Sequence, residues 1–199
     1  MQSQQLIESL IESTRVHLNM MERINALPDK VLRKRESPHS WSVLECVEHL
    51  NRYNDFYIPE FKRRIEASTF PAEPIFSSKL LGGYFAKSML PKEKLNKMKT
   101  FKDKDPIFEN IDRSVIEKFI QQQMEFLILL EKARTVSLNK TKVNISITKW
   151  IRLTLGGGLM FFVNHITRHQ QQMERIVGAN ERGEGRMRGA MGEGIGNRG

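Results

Sequence analysis

Cysteine is nearly absent from this chain: Cys46 is the only one in 199 residues. A single thiol closes no intramolecular disulfide and builds no cysteine-rich metal site, so a reducing, cytoplasmic setting is the expectation. Long apolar runs are missing as well. The most apolar stretch, Leu155–Val163, is too short to span a membrane and carries three glycines. The opening MQSQQLIES is polar, and no secretory signal is expected from it. Internal repeats and known DNA- or RNA-binding motifs are also lacking.

What remains is the balance of a soluble domain, 39% hydrophobic and 28% charged, in a length that suits one domain with a substantial core. The formal charge of +9 is locally concentrated. Lys87, Lys92, Lys94, Lys97, Lys99, Lys102 and Lys104 crowd between Phe85 and Asp105, with only Phe101 interleaved. A solvated face is the expected meaning; specific nucleic-acid recognition is not, although salt-sensitive contact with polyanions fits such a cluster.

Apolar spacing lays out four long helices. Leu6, Ile7, Leu10, Ile11, His17, Met21 and Ile24 mark one over Ser3–Leu27, closed by Pro28. A charged connection over Asp29–Ser40 follows. Ser42 and Glu45 then form a capping box, with Trp41 placed to staple onto Cys46. Val43, Val47, Leu50, Tyr57, Phe61 and Ile65 give this second helix its buried stripe, and Pro59 is expected to kink or interrupt it. Residues 69–111 are a long connection with four prolines and enough aromatics for a short helix and a packed lid. A third helix starts near Asp112 or Ser114, with Ser114 and Glu117 as a second capping box, and runs to about Val136. Residues 137–148 read as irregular or extended, and three glycines from Gly156 permit a close backbone approach. The fourth helix covers Phe161–Ile176, with Gly178 as its stop.

On that last helix His165 and His169 stand four apart, on one face with Phe162, Met173 and Ile176. Two imidazoles at this spacing can reach one metal ion, but a third ligand must come from elsewhere. His49, two turns into the second helix, can supply it if the two helices are neighbours. His17 reads as a partly buried histidine bonded to a neighbour. No carboxylate is placed as a general base: Glu45 caps, Glu48 faces away from His49, and Glu174 lies off the histidine stripe.

The segments Trp41-Ser42-x-x-Glu45-x-x-x-His49-Leu50 and His165-x-x-Arg168-His169-x-x-Gln172, with the lead-in ITKWIRLTLG over Ile147–Gly156, resemble the DinB-like superfamily. That grouping includes YfiT-like metal-dependent hydrolases and bacillithiol transferases. The resemblance spans residues 1–177 and implies an all-α fold, a four-helix bundle with a long crossover between the second and third helices. It also implies one divalent ion, nickel or zinc, on His49, His165 and His169, with Gln172 and Tyr53 beside it. Gly157 and Met160 stand where relatives commonly carry an acidic residue and an arginine, which alters the wall near the last helix but leaves the ligands.

Three imidazoles leave a coordination position open, as catalytic zinc sites do. The expected function is a thiol-dependent transferase or a hydrolase acting on a small molecule, with a low-molecular-weight thiol as the candidate partner and a homodimer as the candidate assembly. The alternative is a non-catalytic, stress-related metal- or ligand-binding module. No residue is assigned a catalytic role.

Residues 178–199 hold eight glycines and four arginines without an aromatic and read as a Gly/Arg-rich flexible tail. Ordering such a segment costs about 1–2 kcal/mol per residue with little buried surface to oppose it. Deleting Ala179–Gly199 is expected to leave melting temperature and metal content unchanged, as thermal melts and elemental analysis of the truncated protein would register.

Overall fold

The computed structural model describes residues 1–77, 100–146 and 148–192, the side chains of Lys149 and of residues 179–192 excepted. The chain is mostly helical. Helix α1 spans Ser3–Asn25, α2 Asp29–Leu32, α3 Val43–Glu66, α4 Val115–Ala133 and α5 Leu155–Gly192. A 3-10 turn covers Lys102–Lys104, and strands β1 (Lys142–Ile145) and β2 (Thr148–Thr154) form an antiparallel hairpin. No helix among the described residues is long and apolar enough to cross a membrane.

Local chemistry sets most of these ends. Ser42 Oγ accepts from Glu45 N at 3.3 Å while the Glu45 carboxylate accepts from Ser42 N at 2.8 Å, so the box that opens α3 is complete. The second expected box does not form. Ser114 already has helical dihedrals and no side-chain cap bond, and Asp112 Oδ1 accepts from Ser114 N instead. Pro59 lies inside α3 without ending it. The hairpin was not expected in an all-α fold. It arises because Val143, Ile145 and Leu153 alternate inward to the core across β1 and β2.

Polar contacts set the helix directions. Arg134 reaches Gln4 and Glu8 at one end of α1, and Arg113 reaches the Asn25 and Leu27 carbonyls at the other, so α1 and α4 are antiparallel. Asn51 donates to the Val115 carbonyl near the start of α4, and Glu66 meets Lys132 near its end, so α3 and α4 are parallel. Two parallel helices need a return path. A helix of 24 residues is about 36 Å long, so a return needs at least about 11 extended residues, and the connection over residues 67–114 exceeds that severalfold. Much of that connection, including the expected short helix and most of the lysine cluster, lies outside the described residues.

Helix α5 packs antiparallel on α3 around Tyr57, Phe61, Phe126 and Phe162; the Phe126 and Phe162 centroids are 4.7 Å apart. Both of its ends differ from expectation. It begins at Leu155, taking in the three glycines, and its backbone continues through Gly178 to Gly192. The glycines are tolerated because tertiary contact offsets their poor propensity: a Cβ on Gly156 would lie 2.5 Å from the Phe76 ring, and one on Gly158 would lie 2.5 Å from Val143 Cγ2 and 3.3 Å from Phe61 Cε1.

Gly158→Ala should therefore destabilise the protein by about 1–3 kcal/mol through overpacking, read by urea denaturation. Trimming the neighbour in Gly158→Ala/Val143→Ala should cost less than the two single losses added together. Strict additivity would mean that this contact is not the cause.

Candidate metal centre

The antiparallel pairing of α3 and α5 brings His49, near the start of one, beside His165 and His169 in the other. One ring nitrogen from each of the three lies within 4.8 Å of the others, and all three residues are buried. His49 Nε2 and His165 Nε2 are 3.3 Å apart. Two nitrogens bound to one zinc at about 2.0–2.1 Å stand roughly 3.3–3.4 Å apart at a tetrahedral angle, so this spacing suits a shared ion.

Hydrogen bonding sets the state of two of the rings. His49 Nδ1 lies 2.7 Å from the Lys104 carbonyl. A carbonyl can only accept, so Nδ1 carries the proton and Nε2 keeps its lone pair. His169 Nδ1 is 3.0 Å from Gln172 Oε1, and donation there frees its Nε2 in the same way. Two buried lone pairs therefore belong to one small cluster, a donor set that fits a cation. Metal-ligating histidines commonly give their second N–H to a carbonyl or another acceptor in this manner.

Burial also keeps the cluster neutral. Desolvation, opposed in part by the Lys104 carbonyl and Asp105, lowers His49 to about 4. Burial, the neighbouring histidines and Arg168 hold His165 well below the ordinary histidine value, and His169 is lowered similarly, with Gln172 opposing. Neutral imidazole is the ligating form.

The walls are aromatic. Trp41 lies on His49 with ring centroids 4.5 Å apart and on His169 at 5.8 Å. Tyr53 packs against His49 at 4.9 Å and His165 at 4.7 Å, and burial pushes its phenol up to about 12. Glu45 and Glu48, the carboxylates nearest in sequence to His49, are taken up elsewhere. Glu45 binds Arg35, Ser42 N and Phe108 N, and Glu48 binds Arg52.

Four of the sequence-derived residues, His49, His165, His169 and Tyr53, thus meet at one place, with Gln172 attached to His169. Sequence reasoning missed the Lys104 carbonyl and Asp105, whose Oδ1 accepts from Trp41 Nε1 at 2.9 Å. They lie 55 and 64 residues from their partners, where helical spacing carries no signal. His17 stays apart from the cluster. Its Nε2 donates to Thr167 Oγ1 at 2.9 Å, and burial lowers it to about 4.

A family model described as the DinB superfamily matches residues 13–173. No curated protein and no solved structure matches the chain.

An ordinary histidine would lose metal as pH falls through about 6.5. Because burial lowers the folded values, the zinc affinity of this site should hold through that range and fall only toward pH 4. Chelator competition across a pH series checks it. The metal-free protein carries the opposite cost. The unfolded histidines bind protons from about 6.5 downward while the folded ones resist, so folding stability drops with falling pH by up to about 1.4 kcal/mol per unit for each such histidine. His17→Gln, which keeps a donor for Thr167, should make that slope in metal-free melting shallower.

Proposed function

The chain belongs to the DinB superfamily, and on that footing we propose that it is a four-helix-bundle metalloenzyme with one divalent ion on His49, His165 and His169. The long connection between α3 and α4 is then the crossover of that bundle. The observation that carries the reading is the convergence of three buried, neutral imidazoles from two helices onto one point. Imidazole donors suit zinc and nickel alike. A divalent ion held by three histidines supplies Lewis acidity at an open coordination position.

The protein's own groups do the rest. Gln172 and the Lys104 carbonyl hold the Nδ1 protons of His169 and His49, which turns the opposite nitrogens inward. Tyr53 and Trp41 exclude water from the ring cluster. The Tyr53 phenol, protonated at neutral pH in any case and moved further from ionising by burial, serves as a wall rather than a base.

The carboxylates nearest to His49 in sequence favour thiol transfer over hydrolysis. Glu45 is taken up by Arg35, Ser42 N and Phe108 N, and Glu48 is paired with Arg52, so neither stands ready as a base toward water. A low-molecular-weight thiol needs less help, since it ionises readily beside a cation. The substrate would be a small molecule processed with such a thiol, in the cytoplasm. The same shortage of a base supports the second reading, a non-catalytic module in which the ion pins α3 to α5.

Purified protein should contain one divalent ion per chain by elemental analysis. His49→Ala, His165→Ala and His169→Ala should each lose most of it. Nickel- or zinc-loaded protein offered thiol conjugates beside simple esters and amides should turn over the former, and His169→Ala should abolish that turnover. Full metal content in all three variants would refute the site. Metal binding without turnover of either substrate set would favour the non-catalytic module.

A further inference from the structure

His49 is the ligand furthest from the others in sequence, and what orients it is a single backbone carbonyl. Lys104 O belongs to the 3-10 turn Lys102–Lys104, on the connection between α3 and α4, and not to any long helix. The turn needs an anchor if that carbonyl is to hold one ring in one orientation.

The anchor nearest the carbonyl is the next residue. Asp105 Oδ1 accepts from Trp41 Nε1 at 2.9 Å and from Ile107 N at 3.1 Å. Trp41 directly precedes the Ser42 cap of α3, and its ring lies on His49. Trp41, Asp105, the Lys104 carbonyl and His49 therefore form a closed circuit that leaves α3 at its first turn and returns two turns later. Further along, Lys104 Nζ donates to the Arg52 carbonyl at 3.1 Å and Phe108 N donates to Glu45 Oε1 at 2.8 Å. These bonds hold the segment to the helix, but neither fixes the peptide that carries the Lys104 oxygen, whose own N–H, that of Asp105, makes only a long 3.4 Å bond to the Lys102 carbonyl within the turn.

Resting on the three-histidine reading, we propose that Asp105 and Trp41 are positioning residues for the metal centre. Their hydrogen bond sets the Lys104 carbonyl against His49 Nδ1, and so sets the direction of the His49 lone pair. Neither residue touches the ion. Asp105 acts through its acceptor geometry, and Trp41 through its indole N–H as well as its ring.

The test is zinc affinity by competition with a chromophoric chelator, using the full chain, together with the visible spectrum of the cobalt-loaded protein as a signature of ligand geometry. Asp105→Ala and Trp41→Phe should each weaken zinc about 10–100-fold, the range usual when a partner of a ligating histidine is disturbed. Both should shift the cobalt spectrum. Asp105→Asn retains the accepting oxygen and should stay close to wild type. The double variant should be no weaker than the weaker single one, because both changes break one link. Should Asp105→Ala fail to fold, Trp41→Phe decides, since it keeps an aromatic ring on His49 and removes only the donor. Wild-type affinity and spectrum in Trp41→Phe and Asp105→Ala would overturn the proposal. So would an Asp105→Asn loss as large as that of alanine, which would make Asp105 a charge and not a hydrogen-bond anchor. Wild-type protein that takes up no zinc would bring down the three-histidine reading itself, and this proposal with it. Wild-type protein that binds zinc beside variants that bind equally well would overturn this proposal alone.

Discussion

Everything at the candidate centre depends on how closely α3 and α5 approach. The His49 and His165 nitrogens stand 3.3 Å apart, and that spacing is no better defined than the distance between the helices that carry them. Between one and about three helix turns from the histidines, the approach is set by Tyr57, Phe61, Phe126 and Phe162, and by Gly158, where a methyl group would collide with Val143 and crowd Phe61. Packed interiors resist small changes in spacing because they are as dense as organic crystals. An aromatic layer with a glycine at its edge is therefore a positioning device for chemistry about two turns away.

A second constraint is the Glu45 carboxylate, which is 1% exposed. Burial alone would raise it, but Arg35, Ser42 and the Phe108 N–H hold it below the usual carboxylate range. One side chain thereby closes the cap of α3, pairs with Arg35 and pins the segment after Asp105. Phe108, the residue it pins, has φ of 66°. A non-glycine side chain in that region costs about 1–3 kcal/mol and persists only where the surroundings over-determine it. Glu45 and the Arg35 guanidinium 4.6 Å above the Phe108 ring are those surroundings. The function of Glu45 is therefore architectural on both sides of the centre, which is also why it has no spare capacity as a base.

The electrostatics of the site follow from the same packing. Three imidazoles enclosed by tryptophan, tyrosine and phenylalanine cannot hold protons cheaply, and each that stays neutral offers a lone pair. Neutral imidazoles would leave the net charge of a bound cation uncancelled. In the absence of metal, the same neutrality makes the fold sensitive to acid.

Much of this was legible in the residues. Helical spacing located α1, α3 and α4 to within a few residues, the Ser42/Glu45 pair announced the start of α3, and His165 and His169 declared a shared face by their separation. Those are local facts, governed by bonds and contacts within one or two turns of chain. The hairpin, the helical start through three glycines and the failure of the Ser114 box were not legible, because each is decided by what packs against the segment. The sequence alone determined which residues could bind a metal. Only the tertiary structure decided that His49 stands beside the pair, that the Lys104 carbonyl orients it, and that burial keeps the cluster neutral. Those outcomes depend on α3 meeting α5 antiparallel, and on a connection dozens of residues away folding back onto α3, which no local spacing encodes.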